Sequence, residues 1–153
     1  MTIEFAGARP VGYVADLDAV QAGAVLYFRK WRNGKAARAE IQNEFNTFFG
    51  EQKGNEIADN FDLMCECFTQ YARRKLLYHG LNCECLGSDE ACLANFIWYA
   101  KNGEREDAML LAANLVRPDI ALVLVDLALN FALALKQMEL SAGASLSKTV
   151  CLH

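Results

Sequence analysis

Residues 120–140 read IALVLVDLALNFALALKQMEL, and the reading of this stretch decides the fold. From Ile120 to Leu135 nearly every side chain is apolar, with Asp126 and Asn130 as the interruptions. Such a run is either a membrane span or the central helix of a packed domain. Its roughly 16 residues at ~1.5 Å each cover about 24 Å, short of the ~30 Å hydrocarbon core. Asp126 and Asn130 also sit one helical turn apart in mid-run, where lipid penalises both. The expectation is a core helix with one narrow polar stripe, and no membrane span.

Working outward, Pro118 precedes this run at a position that the first turn of a helix tolerates. A shorter helical pattern covers about 104–116, after the Asn102-Gly103 stop. Upstream, Cys92, Leu93, Phe96, Ile97 and Tyr99 belong to a helix for which Ser88 is the N-cap candidate, with Asp89 and Glu90 at its positive end. Ile57, Phe61, Met64, Phe68, Tyr71 and Leu76 share one face of a long pattern after Gly54-Asn55, which is expected to run over 56–79 and to end at Gly80. A helix over about 35–49 aligns Ile41, Phe45 and Phe48. Another, capped by Asp16 or Asp18, carries Val20, Ala24, Phe28 and Trp31.

These patterns predict a single all-α domain, a compact bundle of about six helices with no β-sheet. Residues 1–15 are expected as an extended N-terminal arm, 16–140 as the helical domain, and 141–153 as a flexible C-terminal tail.

Composition agrees with a globular chain. Of 153 residues, 54% are apolar, 22% are charged and only two are proline. A net charge of −4 disfavours a general nucleic-acid partner. No basic segment followed by an apolar one opens the chain. The six cysteines are therefore expected to be reduced thiols in the cytoplasm.

The chemistry-bearing stretch is HGLNCECLGSDEACL, residues 79–93. His79, Cys83, Cys85 and Cys92 form the pattern H-x3-C-x-C-x6-C, four ligand types in the number that a closed tetrahedral zinc site uses. With His79 in the last turn of one helix and Cys92 in the first full turn of the next, a short loop can bring them together. Against this reading stand the unusual C-x-C spacing and the acids Asp89 and Glu90, which raise the pKa of a nearby thiol. Cys92 also shares a face with Phe96 and Tyr99, as a small core residue does.

A second reading takes Cys83 or Cys85 as a nucleophilic or redox thiolate with His79 as its base. No third, orienting group is evident in the sequence. Cys67 lies about 18 Å from His79 if the helix is continuous, and Cys65 and Cys67 point to nearly opposite sides of that helix, so both read as packing residues.

Asp59, Asp62 and Glu66 line a solvated face, without the Glu-x-x-His pairs of a di-metal bundle. Two basic runs, Arg29–Arg38 around Trp31 and Arg73-Arg74-Lys75, read as solvated helix ends, with an anion or single-stranded nucleic acid as the alternative. No phosphate-loop, metalloprotease or hydrolase signature occurs.

Three functional readings follow. The favoured one is a non-enzymatic helical binding or regulatory module, associating with a protein partner or as a homodimer, with a structural zinc stapling His79, Cys83, Cys85 and Cys92. The others are a thiol enzyme built on Cys83 or Cys85 with His79, and a helical interaction domain without metal.

Overall fold

The computed structural model describes the backbone of residues 7–151 and side chains as far as residue 141. Within that range the chain forms strand β1 (Pro10–Tyr13), a 3-10 turn at Val14–Asp16, and helices α1 (Ala19–Trp31), α2 (Lys35–Phe49) and α3 (Glu51–Gln70). After an irregular segment come strand β2 (Cys85–Gly87) and helices α4 (Ser88–Lys101), α5 (Arg105–Leu115) and α6 (Pro118–Cys151).

The six α-helices bear out the bundle. Helix α6 lies at its centre, packed against α1, α3, α4 and α5. Ala121, Leu124, Val125, Ala128, Phe131, Ala132 and Leu135 face inward from it. Phe131 stacks on Phe61 of α3 with ring centroids 4.5 Å apart. Phe28, Phe45, Phe68 and Phe96 extend this buried aromatic cluster.

The stretch Pro118–Ser141 is long and apolar enough to cross a membrane, with mean hydropathy 1.9, yet half of its most apolar window is buried by the other helices. Asp126 lies on the outer face, paired with Arg105 at 2.8 Å. The helix runs to Cys151, into the stretch 141–153 expected as a flexible tail. The side chains of that last part lie outside the described residues.

Local signals account for the helix ends. Asp18 caps α1, accepting from the Gln21 N–H at 2.7 Å while the Gln21 side chain returns to the Asp18 N–H. Gly50 alone joins α2 to α3, with a φ of 90° that disfavours other residues. The hairpin is tight enough that Gly54, expected before the helix, lies inside it. A Cβ there would stand 2.5 Å from the Asn46 Cα and 2.6 Å from its N.

Two expectations need correction. The sheet is small but present: β1 and β2 pair antiparallel, Gly12 opposite Leu86 and Tyr13 opposite Cys85, with an irregularity between Pro10 and Gly12. Strands of four and three residues are too short to display a period of two. Val25, Leu86 and Ala94 form a small apolar cluster beneath them, with Val14 and Leu17 packed against it. The expected arm is thus tied down from Pro10 onward.

Second, the helix expected over 56–79 begins at Glu51 and ends at Gln70. No breaker stands between Gln70 and Gly80, so periodicity alone carried the helix on. The backbone is instead claimed by the α5–α6 junction. The Arg73 N–H donates to the Leu115 carbonyl at 3.0 Å, and the Arg117 N–H donates to the Tyr71 carbonyl at 3.1 Å. His79 therefore lies in an irregular segment, nine residues beyond the helix end.

In an open helix, alanine in place of glycine gains roughly 1 kcal/mol. At Gly54 the backbone overlap, worth about 1–3 kcal/mol or more, outweighs it. Gly54→Ala is expected to lower the urea midpoint of unfolding with an unchanged slope. An unchanged or raised midpoint would contradict the close approach of α2 and α3.

Candidate functional site

The corner expected to hold a metal is organised around an arginine. Arg29 on α1 and Glu90 in the first turn of α4 form an ion pair at 2.6 Å whose side chains are wholly shielded from solvent. Arg29 donates through Nε and Nη2 to the two Glu90 oxygens, through Nη1 to the Cys83 carbonyl at 2.7 Å, and through Nη2 to the Cys85 carbonyl at 2.8 Å. Glu90 also accepts from the Gly87 N–H at 3.0 Å, so it caps its own helix. Ser88, expected as the cap, is the first residue of the helix, and Gly87 holds the cap position.

Asp89 does the matching work on the preceding segment. Its buried carboxylate accepts two bonds from Arg74, at 2.6 and 3.0 Å, and one from the Leu77 N–H at 2.8 Å. The adjacent acids that read as a helix start thus hold the 74–87 segment at both ends, Asp89 at Arg74 and Leu77 and Glu90 at Gly87. Neither is a free negative charge beside the loop thiols.

His79 is fixed from both sides of its ring. Its Nε2 lies 2.7 Å from the Ala8 carbonyl and its Nδ1 lies 3.4 Å from the Cys83 sulfur. A carbonyl only accepts, so Nε2 carries the proton and Nδ1 is left to face the thiol. The Ala8 carbonyl is the orienting group that the sequence did not reveal. It is delivered by the arm, which β1, and the Val14 N–H donating to the Glu84 carbonyl at 2.9 Å, hold across the loop. Gly87 leaves room for the ring, since a Cβ there would stand 3.0 Å from two of its atoms.

Electrostatics follow from this geometry. The Cys83 thiol titrates below the ordinary cysteine range, chiefly through His79, with the Cys85 backbone N–H and the Arg29 charge adding to it. His79 is raised, first by its bond to Cys83 and further by the Ala8 carbonyl. Both directions follow from the one His79–Cys83 contact, which favours the ionised form of each group. Burial pushes Cys65, Cys67 and Cys92 the other way, with Asp89 adding to it at Cys92. Cys65 and Cys67 are buried in the main core, as packing residues.

Cys83 opens on a cleft of about 550 Å³ between arm and loop, where Tyr13, Leu26 and Leu81 are apolar walls and Asp16 and Glu84 carry charge.

Of the expected quartet, the structure brings His79 and Cys83 together. Cys85 lies on β2, and Cys92 lies inside α4 against the core. Among the described residues no group of three or more His, Cys, Asp or Glu side chains is arranged to hold a metal ion.

Arg29 and Glu90 were missed, although their spacing carries a signal. Arg29 stands four residues from Val25, and Glu90 stands three, four and seven from Leu93, Ala94 and Ile97, all buried. Each charge falls on the inward stripe of its own helix. Nothing in the sequence points to the Ala8 carbonyl.

Comparisons with protein-family models, curated proteins and solved structures find no match.

Removing one member of a buried, hydrogen-bonded pair leaves the other charge uncompensated, at a cost of ~3–5 kcal/mol. Glu90→Ala is expected to lose stability in that range by chemical denaturation, and native Cys85 is expected to label faster as the loop loosens. A loss within the scatter of surface substitutions would contradict the role given to the pair.

Proposed function

We propose that the protein is a helical thiol module in which Cys83 is the nucleophile and His79 its base. The observation that carries this reading is the His79 ring, held by the Ala8 carbonyl on Nε2 with Nδ1 directed at the Cys83 sulfur. A nucleophile, a base and a group that fixes the base are the parts that nucleophilic catalysis by a thiol requires. Such a thiol stays available in a reducing, cytoplasmic setting, which is the setting this reading assigns to the protein.

The chemistry is attack on a soft electrophile, with a disulfide as the natural substrate class. The Cys83 thiolate attacks one sulfur, the S–S bond breaks, and a mixed disulfide forms. The departing thiolate takes a proton from the His79 imidazolium. A second thiol then attacks the mixed disulfide, transfers its own proton to His79, and returns Cys83 as thiolate. The apolar walls of the cleft and the acids Asp16 and Glu84 favour a substrate that is neutral or cationic around its disulfide.

The zinc-stapled binding module has weaker support. The staple that a metal would supply at this corner is already provided by Arg29 bridging Glu90 and two loop carbonyls.

The test is the pH dependence of Cys83 alkylation by iodoacetamide, read site by site in the native protein. Cys83 is expected to react fastest, and to lose its rate only as pH falls through a pKa below the ordinary cysteine range. In His79→Gln the inflection moves up, and the rate at neutral pH falls by roughly tenfold or more. Cys83 reacting no faster than in the unfolded chain, with the same profile in His79→Gln, would overturn the proposal. So would one equivalent of zinc, in protein purified without chelators, protecting Cys83 and Cys85.

A further inference from the structure

The two basic runs, far apart in sequence, meet on the other side of the Tyr78–His79 segment. A cleft of about 400 Å³ opens between the end of α1, the start of α2, the last turns of α3 and residues 72–78. Its floor is apolar and buried, with Phe28 and Phe68 beside a Cys65 thiol that burial keeps neutral. Its rim carries Arg32, Arg38, Arg74 and Lys75.

The rim cations are unequally matched. Arg74 is neutralised by Asp89. Among the described residues Arg32, Arg38 and Lys75 have no carboxylate within 4.0 Å. The hydrogen bonds given to Arg32 and Arg38 reach neutral carbonyls, Tyr78 at 3.3 Å and Trp31 at 2.9 Å. The nearby acid Asp62 is engaged by the Trp31 indole N–H at 2.9 Å. Three cations are thus held around one small mouth in a chain whose net charge is −4.

Two of them are also pre-positioned. The Arg38 guanidinium lies over the Trp31 ring at 3.5 Å, and that of Arg32 lies over the Tyr78 ring at 4.9 Å. Stacking holds the planes and leaves edge N–H groups to face an anion, which lowers the ordering cost of binding. Burial raises the Tyr78 hydroxyl and keeps it a donor. Among the described residues it has no hydrogen-bond partner.

We propose that this cleft binds a small organic anion with a flat ring, its phosphate or carboxylate held by Arg32, Arg38 and Lys75 and its ring set against the partly exposed Tyr78 and Ala72. The volume sits at the small end for ligand pockets, which run from ~300 to ~1,000 Å³. That size suits a monomer of nucleoside-monophosphate dimensions, and the net negative charge of the chain works against a polymer. The site shares no side chain with the Cys83–His79 pair, so either proposal can fail alone.

Trp31 provides the readout. In Trp98→Phe protein labelled with nitrogen-15, the remaining indole N–H resonance belongs to Trp31 and is followed on titration with AMP, 1-naphthoate, adenosine and inorganic phosphate. AMP or 1-naphthoate is expected to shift it saturably, while adenosine and phosphate, each lacking one half of the ligand, bind at least about tenfold more weakly. Arg32→Gln/Lys75→Gln alters two exposed side chains. It is expected to weaken the ring-bearing anion by tenfold or more with the melting temperature unchanged. No shift with either aromatic anion up to about 10 mM, or equal binding by the double variant, would overturn the proposal.

Discussion

The Arg29–Glu90 pair is the constraint on which the cysteine corner depends. Burying two opposite charges costs several kcal/mol per ion, and their attraction offsets this only when the remaining donors and acceptors are satisfied. Here they are. Arg29 makes four hydrogen bonds and Glu90 accepts three, at distances between 2.6 and 3.0 Å. Two of those bonds end on the carbonyls of Cys83 and Cys85, so the pair fixes the loop backbone as well as joining α1 to α4. Its contribution is geometry rather than net stability, since an apolar pair of equal volume could pack as well.

The same arrangement decides which thiol is activated. Asp89 and Glu90 would raise the pKa of neighbouring cysteines if their charges stood free. Each is instead matched by an arginine, Asp89 by Arg74 and Glu90 by Arg29. His79 chiefly lowers Cys83 and the Arg29 charge adds to it, whereas partial burial raises Cys92 and Asp89 adds to that. Two cysteines in one short stretch are thus driven in opposite directions, Cys83 by its histidine partner and Cys92 chiefly by burial. On the other side of the same segment, Arg32, Arg38 and Lys75 surround an apolar hollow without such carboxylate partners.

Much of the helical architecture was legible because its signals are local. The Asp18 cap, the Asn102-Gly103 stop, Pro118 in the first turn of α6 and the inward stripe from Ile120 to Leu135 all read directly from spacing. What escaped depends on partners distant in sequence. The end of α3 is set by hydrogen bonds to residues 115 and 117, and the short sheet by an arm meeting a loop more than seventy residues away. At the site, spacing offered either Cys83 or Cys85 as the partner of His79, and the structure sets Cys83 against it. No helix holds the two together. The Ala8 carbonyl was beyond reach, because a backbone acceptor leaves no mark in the choice of side chains.

The central claim is that the His79 ring, facing the Cys83 sulfur, lowers the pKa of that thiol. The most direct measurement is a titration of thiolate absorbance near 240 nm, wild type against Cys83→Ser. The wild type is expected to gain one thiolate below the ordinary cysteine range, and Cys83→Ser to lack that step while keeping the later ones. Superimposable titrations of the two proteins would contradict it.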